Sequence, residues 1–458
     1  MSAALEQQQL EGRPRKPAPA LRPNPWLVAT PAFLFVVAAA VLMLRQVEPF
    51  VNWFYIFAWY PTILILDAAQ ARRSGEYYLI TRPRFALSVL GWSAVLWFFF
   101  ELVNFRVANW YYVFLPHARP LRWLGTAVAF ATVLPAIFLA ERWLAGRGVW
   151  NGARSPTFTV TRRTLRGLFL TGIIFAALSL AWPKLFFPMI WGALTLLLEP
   201  WNYKRDPSRS LLGDLSMGRP GRLLRFLAGG MAIGFLWEMY NIESRSKWIY
   251  TVPGLENFKL FEMPLLGFFG FPVFAIDCFV VYQSLVLAGI AVPEKRPATG
   301  GRQALRPGRT IAAIGAAAVF SLAVLLGMDR WNTDSLGPRL EELWVVRSAD
   351  RASLTATPYR DLFVLAEAEP EDVARATGAG ISAAEEWVTA ARLSTLRGVG
   401  TENARLIWED GTRSLAELAA ADPEALSERL RARTVRPRTA TPPKVRGWVR
   451  AARRATAD

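Results

Sequence analysis

Residues 98–116 read FFFELVNFRVANWYYVFLP, and residues 235–253 read FLWEMYNIESRSKWIYTVP. Each is an apolar run that carries a Glu and an Asn three residues apart, followed by an aromatic loop ending on proline. An ionisable group inside an apolar segment is costly, so one that occurs twice calls for a shared cause. Glu101 and Glu238 are 137 positions apart, as are Asn104 and Asn241, Pro116 and Pro253, and Pro135 and Pro272. Upstream, WYPTILILDAAQ (59–70) aligns with WGALTLLLEPWN (191–202) at an offset of 132, which pairs Asp67 with Glu199; five extra residues in the intervening basic loop account for the difference. The shared cause is a duplicated unit. Four helices per unit, an even number, leave both copies in the same orientation, a parallel repeat.

The surrounding composition places that repeat in a membrane. Of 458 residues, 53% are hydrophobic and 13% aromatic, with 19 Trp. A crossing of ~30 Å of hydrocarbon needs about 20 mostly apolar residues. Nine stretches qualify, near 27–44, 50–70, 85–105, 121–141, 166–182, 184–202, 222–241, 264–290 and 310–328. The expected fold class is all-α: a polytopic helical membrane bundle of about nine spans with a 4+4 repeat, plus a small soluble helical domain. The expected division is a disordered basic tail at 1–25, repeat 1 at 26–145, a basic loop at 146–165, and repeat 2 at 166–290. A basic linker at 291–309, an additional transmembrane helix at 310–328 and a helical domain at 329–458 follow.

The net charge of +17 is not spread evenly. Arg72, Arg73, Arg82 and Arg84 lie between spans two and three, Arg147, Arg154, Arg162 and Arg163 between four and five, Lys204, Arg205, Arg209 and Arg219 between six and seven, and Lys295, Arg296, Arg302 and Arg306 between eight and nine. Basic residues in alternate loops are the positive-inside pattern. It puts the N-terminus in the cytoplasm of a bacterial-type inner membrane and, after nine spans, the C-terminal domain outside. Cys278 is the single Cys and His117 the single His, so a disulfide framework, a His-rich metal centre and a Ser-His-Asp set are all disfavoured. No metal or cofactor is expected.

The candidate site residues are the acids and amides the repeat duplicates. Glu101, Glu238 and Asp277 are the candidate catalytic acids; Asp277 lies mid-span in GFFGFPVFAIDCFVVYQSL without a basic neighbour. Asn104 and Asn241 stand three residues after the two glutamates, on the same helical face, placed to orient them. Asp67, Glu199, Trp248 and Tyr250 complete the candidate ligand-binding set. The bland alternative for the acids is helix-to-helix glue or pairing with loop arginines. For the aromatic loops NWYYVFLP and KWIYTVP, it is a membrane-interface belt.

Two resemblances follow from these residues. The order Trp237, Glu238, Trp248, Tyr250, Pro264, Leu265 is similar to the tandem repeat of the membrane lycopene cyclases, in which acids protonate a polyene. Gly267 and its neighbours stand where that family carries further carboxylates. In the C-terminal region LAEAEPEDV (365–373) returns as LAAADPEAL (418–426), and EEWVTAAR (385–392) as RGWVRAAR (446–453). Between them LSTLRGVGTENARLI (393–407) resembles a helix-hairpin-helix module, here doubled. That resemblance implies phosphate contacts at Gly398 and Gly400, and so a nucleic-acid partner if the C-terminus is cytoplasmic.

The functional expectation is a site between the repeats that binds or processes an apolar, lipid- or isoprenoid-like molecule, with Glu238 and Asp277 as proton donors or anchors. The alternatives are a proton-coupled transporter and a membrane-anchored scaffold whose C-terminal domain recruits a protein or a nucleic acid. Expected partners are membrane lipid, an apolar small molecule and, through the C-terminal domain, a protein.

Overall fold

The structure, a computed structural model, describes residues 23–252, 258–294, 306–434, 436 and 438–457. The expected tail as far as residue 22, Pro253, and Lys295, Arg296 and Arg302 lie outside the described residues. The helices of the bundle are α1 (Pro25–Leu44), α2 (Phe50–Ser74), α3 (Pro83–Val107), α4 (Arg119–Phe130), α5 (Val133–Gly146), α6 (Arg162–Ala181), α7 (Ala193–Arg205), α8 (Gly221–Ile242), α9 (Gly270–Leu287) and α10 (Pro307–Trp331). Seven segments are long and apolar enough to cross a membrane: α1, α2, α3, α4 with α5, α6, Leu265–Leu287 and α10. Of the nine expected spans, 222–241 forms the long helix α8, whose ends carry Arg222, Arg225 and Glu238. The segment 184–202 is not one helix.

Its break has a local cause. Short turns at Pro183–Phe186 and Phe187–Ile190 precede Gly192, which takes a left-handed φ of +93°, and α7 starts afresh behind it. Proline withholds a backbone donor and disfavours helix before it, and glycine alone adopts positive φ cheaply. A helix that restarts inside a bundle exposes N–H groups with no partner in the preceding turn. Asp277 of α9 collects them: it accepts from Gly192 N at 2.9 Å, Thr195 N at 2.8 Å and Thr195 Oγ1 at 2.5 Å.

The two other duplicated acids act alike. Asp67 near the end of α2 accepts from the backbone N of Tyr78, Leu79 and Ile80. Glu199 in α7 accepts from Ser210 Oγ and Leu212 N. In both copies the partners begin eleven residues downstream (67 to 78, 199 to 210), so each acid ties down the loop that leads to the next long helix.

Successive helices of the bundle alternate in direction, with α4 and α5 following one another in one pass. α1, α3, α6, α8 and α10 run towards one end, where Arg245 N donates to Val51 O, Arg245 Nε to Gln46, and Arg106 to Ala181 O. The basic loops at 72–84, 147–163 and 204–219 gather at the other end, where Arg82 donates to Glu294 O and Ser155 N to Gly218 O. α1, α6 and α10 lie outermost and leave Leu27, Phe33, Phe169, Ile173, Ile311 and Val319 exposed, the surface expected of helices bathed in hydrocarbon.

The C-terminal domain is built from two three-helix units joined by a hairpin. The first is α11 (Leu362–Glu367), α12 (Pro370–Thr377) and α13 (Ile381–Thr395); the hairpin runs through Gly398-Val399-Gly400 into α14 (Gly400–Glu409); the second is α15 (Leu415–Ala420), α16 (Pro423–Ala432) and α17 (Pro442–Ala455). Trp387 and Trp448, equivalent in the sequence duplication, are the buried centres of the two units. Gly398 and Gly400 have φ of +86° and +77°, which fits the tight turn. This domain is fastened to the helical bundle by the Lys444–Asp334 and Arg397–Glu262 ion pairs and by Arg245 to Asp361 at 3.3 Å.

Replacing Asp277 with Ala strands three buried donors, and the expected cost is roughly 2–4 kcal/mol, read as a lower midpoint of thermal unfolding in detergent; Asp277→Asn, which keeps one acceptor, costs less. Gly400→Ala adds both backbone strain and a collision with Ser335. Its expected outcome is an undocked but folded C-terminal domain, seen as new proteolytic cleavage near residues 333–347 with the 348–457 fragment surviving intact.

Candidate functional site

The two aromatic loops meet. Trp110–Val113 forms strand β1 and Lys247–Tyr250 forms β2, and they pair antiparallel with Trp110 opposite Tyr250, Tyr111 opposite Ile249, Tyr112 opposite Trp248 and Val113 opposite Lys247. They are buried or half-buried, not spread along an interface belt: Trp110, Tyr111 and Tyr112 are 6%, 3% and 8% exposed. The period-2 spacing W-x-Y in both copies puts all four aromatic rings on one face of the ribbon. Tyr111, Val113 and Ile249 occupy the opposite face, towards Phe114 and Phe363.

The amides of the repeat hold this ribbon at both ends. Asn104 Nδ2 donates to Trp110 O at 2.8 Å, and its Oδ1 accepts from Asn109 N at 2.9 Å. Asn241 does the same for the second strand, donating to Trp248 O at 2.9 Å and accepting from Trp248 N at 3.1 Å. The expected role of Asn104 and Asn241, orienting the neighbouring glutamates, is thus replaced by a bond to the strand backbone. The pattern carries one copy onto the other about a two-fold axis between Tyr111 and Ile249.

Behind the ribbon lies a cavity between the repeats, with about 150 Å³ of room for the centres of water-sized spheres. Its lining is mostly carbon. Trp97, Trp110, Tyr112, Trp191, Trp237, Trp248, Tyr250 and Phe274 contribute rings, and α2 and α4 add Asn52, Trp53, Tyr55, Gly125 and Ala129. Five of the indoles follow one another in a belt: Trp248 to Trp237 at 6.4 Å between ring centroids, Trp237 to Trp97 at 5.0 Å, Trp97 to Trp110 at 6.1 Å, and Trp110 to Trp191 at 6.3 Å.

The two glutamates stand behind this wall and are both fully buried, but they are not equivalent. Glu101 Oε1 accepts from Trp97 Nε1 at 3.1 Å, Trp110 Nε1 at 2.9 Å and Tyr112 OH at 2.5 Å, and its Oε2 accepts from Asn332 Nδ2 at 2.6 Å. Glu238 Oε1 accepts from Tyr250 OH at 2.9 Å, the counterpart of the Tyr112 bond. Its Oε2 has no partner among the described residues. The missing donors can be traced one by one. Gly234 stands at the position of Trp97, and a side chain there would collide with Phe271. Asn332 follows α10, which has no second copy. Trp248, the counterpart of Trp110, leaves its Nε1 unpaired.

Burial and the adjacent Glu238 push the Tyr250 hydroxyl well above its usual range, and burial with Glu101 does so for Tyr112, so both stay protonated donors. Burial also holds the Lys247 ammonium down to about 8, at the end of the ribbon away from Tyr250.

Of the residues singled out in the sequence, Glu101, Asn104, Glu238, Asn241, Trp248 and Tyr250 therefore converge on one place. Asp67, Glu199 and Asp277 do not; each is occupied by backbone donors elsewhere. Gly398 lies against the outer face of the ribbon, where a Cβ would stand 3.0 Å from Tyr111 OH and 3.1 Å from Ile249 Cδ1, and Gly400 lies against Ser335. The hairpin turn faces this protein's own strand pair. Sequence reasoning missed Trp97, Tyr112 and Asn332. The first two carried a signal, a Trp four residues before Glu101 and a Tyr equivalent to Tyr250; Asn332 carried none.

Comparison with known proteins adds one assignment. Residues 352–455 match the model of a domain of unknown function, DUF4332, which covers the C-terminal domain from α11 to α17. The chain matches no curated protein and no solved structure.

Proposed function

We propose that the cavity between the repeats binds an apolar, lipid- or isoprenoid-like molecule, and that Glu238, with Tyr250, is the polar group that anchors or protonates it. The observation that carries this is the contrast between the two carboxylates. Buried polar atoms are nearly always paired, so an open carboxylate oxygen beside an aromatic cavity marks a place where something else supplies the partner. Glu101, with four donors, is the filled version of the same site and serves the fold. Asp277, the other candidate proton donor, is committed to the start of α7.

An apolar molecule suits the walls, which offer indole and phenyl carbon with few polar groups. A carboxyl in such surroundings can hold a proton for transfer to a carbon–carbon double bond, the chemistry implied by the lycopene cyclase resemblance at Trp237, Glu238, Trp248 and Tyr250. Apolar exposed helices on the outside of the bundle fit a multi-pass protein in contact with membrane lipid. Basic loops at one end of the bundle support a topology in which the ribbon and the C-terminal domain lie outside the cytoplasm, by the positive-inside rule. There the domain has no chromosome to bind, and its hairpin turn is taken up by the ribbon.

Organic extraction of the purified wild-type protein, followed by mass spectrometry, is expected to release an apolar molecule in near-stoichiometric amount. Glu238→Gln with Tyr250→Phe should lower that occupancy at least about tenfold with an unchanged unfolding midpoint. Equal occupancy in the folded double variant would sink the proposal. Glu101→Gln should instead lower the unfolding midpoint. For the topology, paired reporters fused after residue 458, one active only in the cytoplasm and one only outside, should report the outside; a cytoplasmic signal reverses the assignment.

A further inference from the structure

On one side of the cavity an unpaired donor, Trp248, lies in the lining, and an unpaired acceptor, Glu238, stands behind it. Glu238 Oε2 is a buried acceptor without a partner, and Trp248 Nε1 is a buried donor without one. Both lie next to Tyr250: Glu238 through its hydrogen bond at 2.9 Å, and Trp248 two residues away on the same ribbon face. In the first copy the corresponding pair is closed, with Trp110 Nε1 donating to Glu101 at 2.9 Å. In the second copy that bond is open.

A buried donor and a buried acceptor left apart each cost free energy, because neither recovers the hydrogen bond it made with water. The group that satisfies both at once is a hydroxyl, which donates one proton and accepts at its lone pairs. A hydrocarbon satisfies neither. An ether or a ketone accepts from the indole but leaves the carboxylate oxygen open. A carboxylic acid or a phosphate would set a second acidic group beside Glu238 in a place where burial penalises charge. The rest of the lining is mostly apolar, aromatic and aliphatic, with Arg122, Lys247 and a few uncharged polar side chains among it, so the body of the molecule that carries the hydroxyl is apolar.

We infer that the ligand is an apolar alcohol, of lipid or isoprenoid character, whose hydroxyl sits between Glu238 Oε2 and Trp248 Nε1. This rests on the assignment of the cavity as a binding site for an apolar molecule and narrows it to one class. The hydroxyl donates to Glu238 and accepts from Trp248, and so restores in the second copy the link that Trp110 and Glu101 make in the first. In a protonating reaction the same place is where a water molecule or an alcohol oxygen would stand beside the carboxyl.

The test compares three probes of one skeleton: farnesol, its methyl ether, and the hydrocarbon with hydrogen in place of the hydroxyl. Binding to the full-length protein in lipid nanodiscs is followed by quenching of tryptophan fluorescence, with each probe's partition into empty nanodiscs subtracted. The alcohol is expected to bind about tenfold or more tightly than either the ether or the hydrocarbon. Trp248→Phe, which removes the donor and keeps the ring, should cut that preference to near unity without weakening hydrocarbon binding. Glu238→Gln should reduce it by a smaller factor. Equal binding of all three probes would overturn the alcohol assignment, with water or a direct Trp248–Glu238 contact filling the gap, and would leave the apolar cavity standing. A preference for alcohol that survives both substitutions would place the hydroxyl elsewhere and also overturn it. Absence of binding by all three would bring down the cavity assignment together with this one.

Discussion

The antiparallel pairing of Trp110–Val113 with Lys247–Tyr250 is the constraint on which the arrangement rests. Two strands of four residues are far too short to be stable alone. They persist because each is held from behind by an asparagine of its own copy and covered on its outer face by the C-terminal domain. Once they pair, the four aromatic side chains at alternate positions must point into the bundle together. The cavity, the Tyr–Glu contacts and the seat of the glycine turn all follow from that register. A slip of one residue in the second strand would turn Trp248 and Tyr250 outward and send Ile249 towards the cavity.

Three of the buried acids among the described residues restore backbone hydrogen bonds. Asp67 and Glu199 capture loop amides, and Asp277 captures the amides of a restarted helix. Such work is needed wherever a chain departs from regular helix away from water, because an unpaired amide there has nothing else to bond. It also clarifies which acid is unusual. Glu199 also keeps one oxygen unpaired, but its other oxygen holds loop donors; Glu238 differs in that its open oxygen stands beside the aromatic cavity and its counterpart Glu101 is filled.

The duplication was legible from residue numbers alone, and with it the equivalence of Glu101 with Glu238, Asn104 with Asn241 and Asp67 with Glu199. Seven of the nine expected spans were legible from apolar run length; 222–241 forms a long helix with charged ends, and 184–202 breaks at Gly192, for which the signal was present in FPMIWG as a proline and a glycine four residues apart. The ribbon was written in W-x-Y and W-x-Y, an alternation of strand-forming aromatics that an aromatic-belt interpretation concealed. What the sequence could not disclose was connectivity at a distance. The bond from Asn332 to Glu101 spans 231 residues and joins a helix outside the repeat to one within it. Nothing local to Asp277 announced that its partners would be Gly192 and Thr195. The contrast between a filled and an open carboxylate depends on such remote partners, so it emerges only in three dimensions.

A strand that pairs with its own copy about a two-fold axis is the arrangement of a symmetric dimer. In a dimer of identical subunits, the Trp–Glu bond would be closed in both halves or open in both, since the same residues would surround each. Joining the halves in one polypeptide removes that obligation. One half can then be spent on rigidity, with Trp97 and Asn332 locking Glu101, while the other keeps Gly234 and an unlocked Glu238. Covalent linkage of the copies is in this sense a device for breaking symmetry, and it allows one pair of equivalent positions to be closed in one half and open in the other.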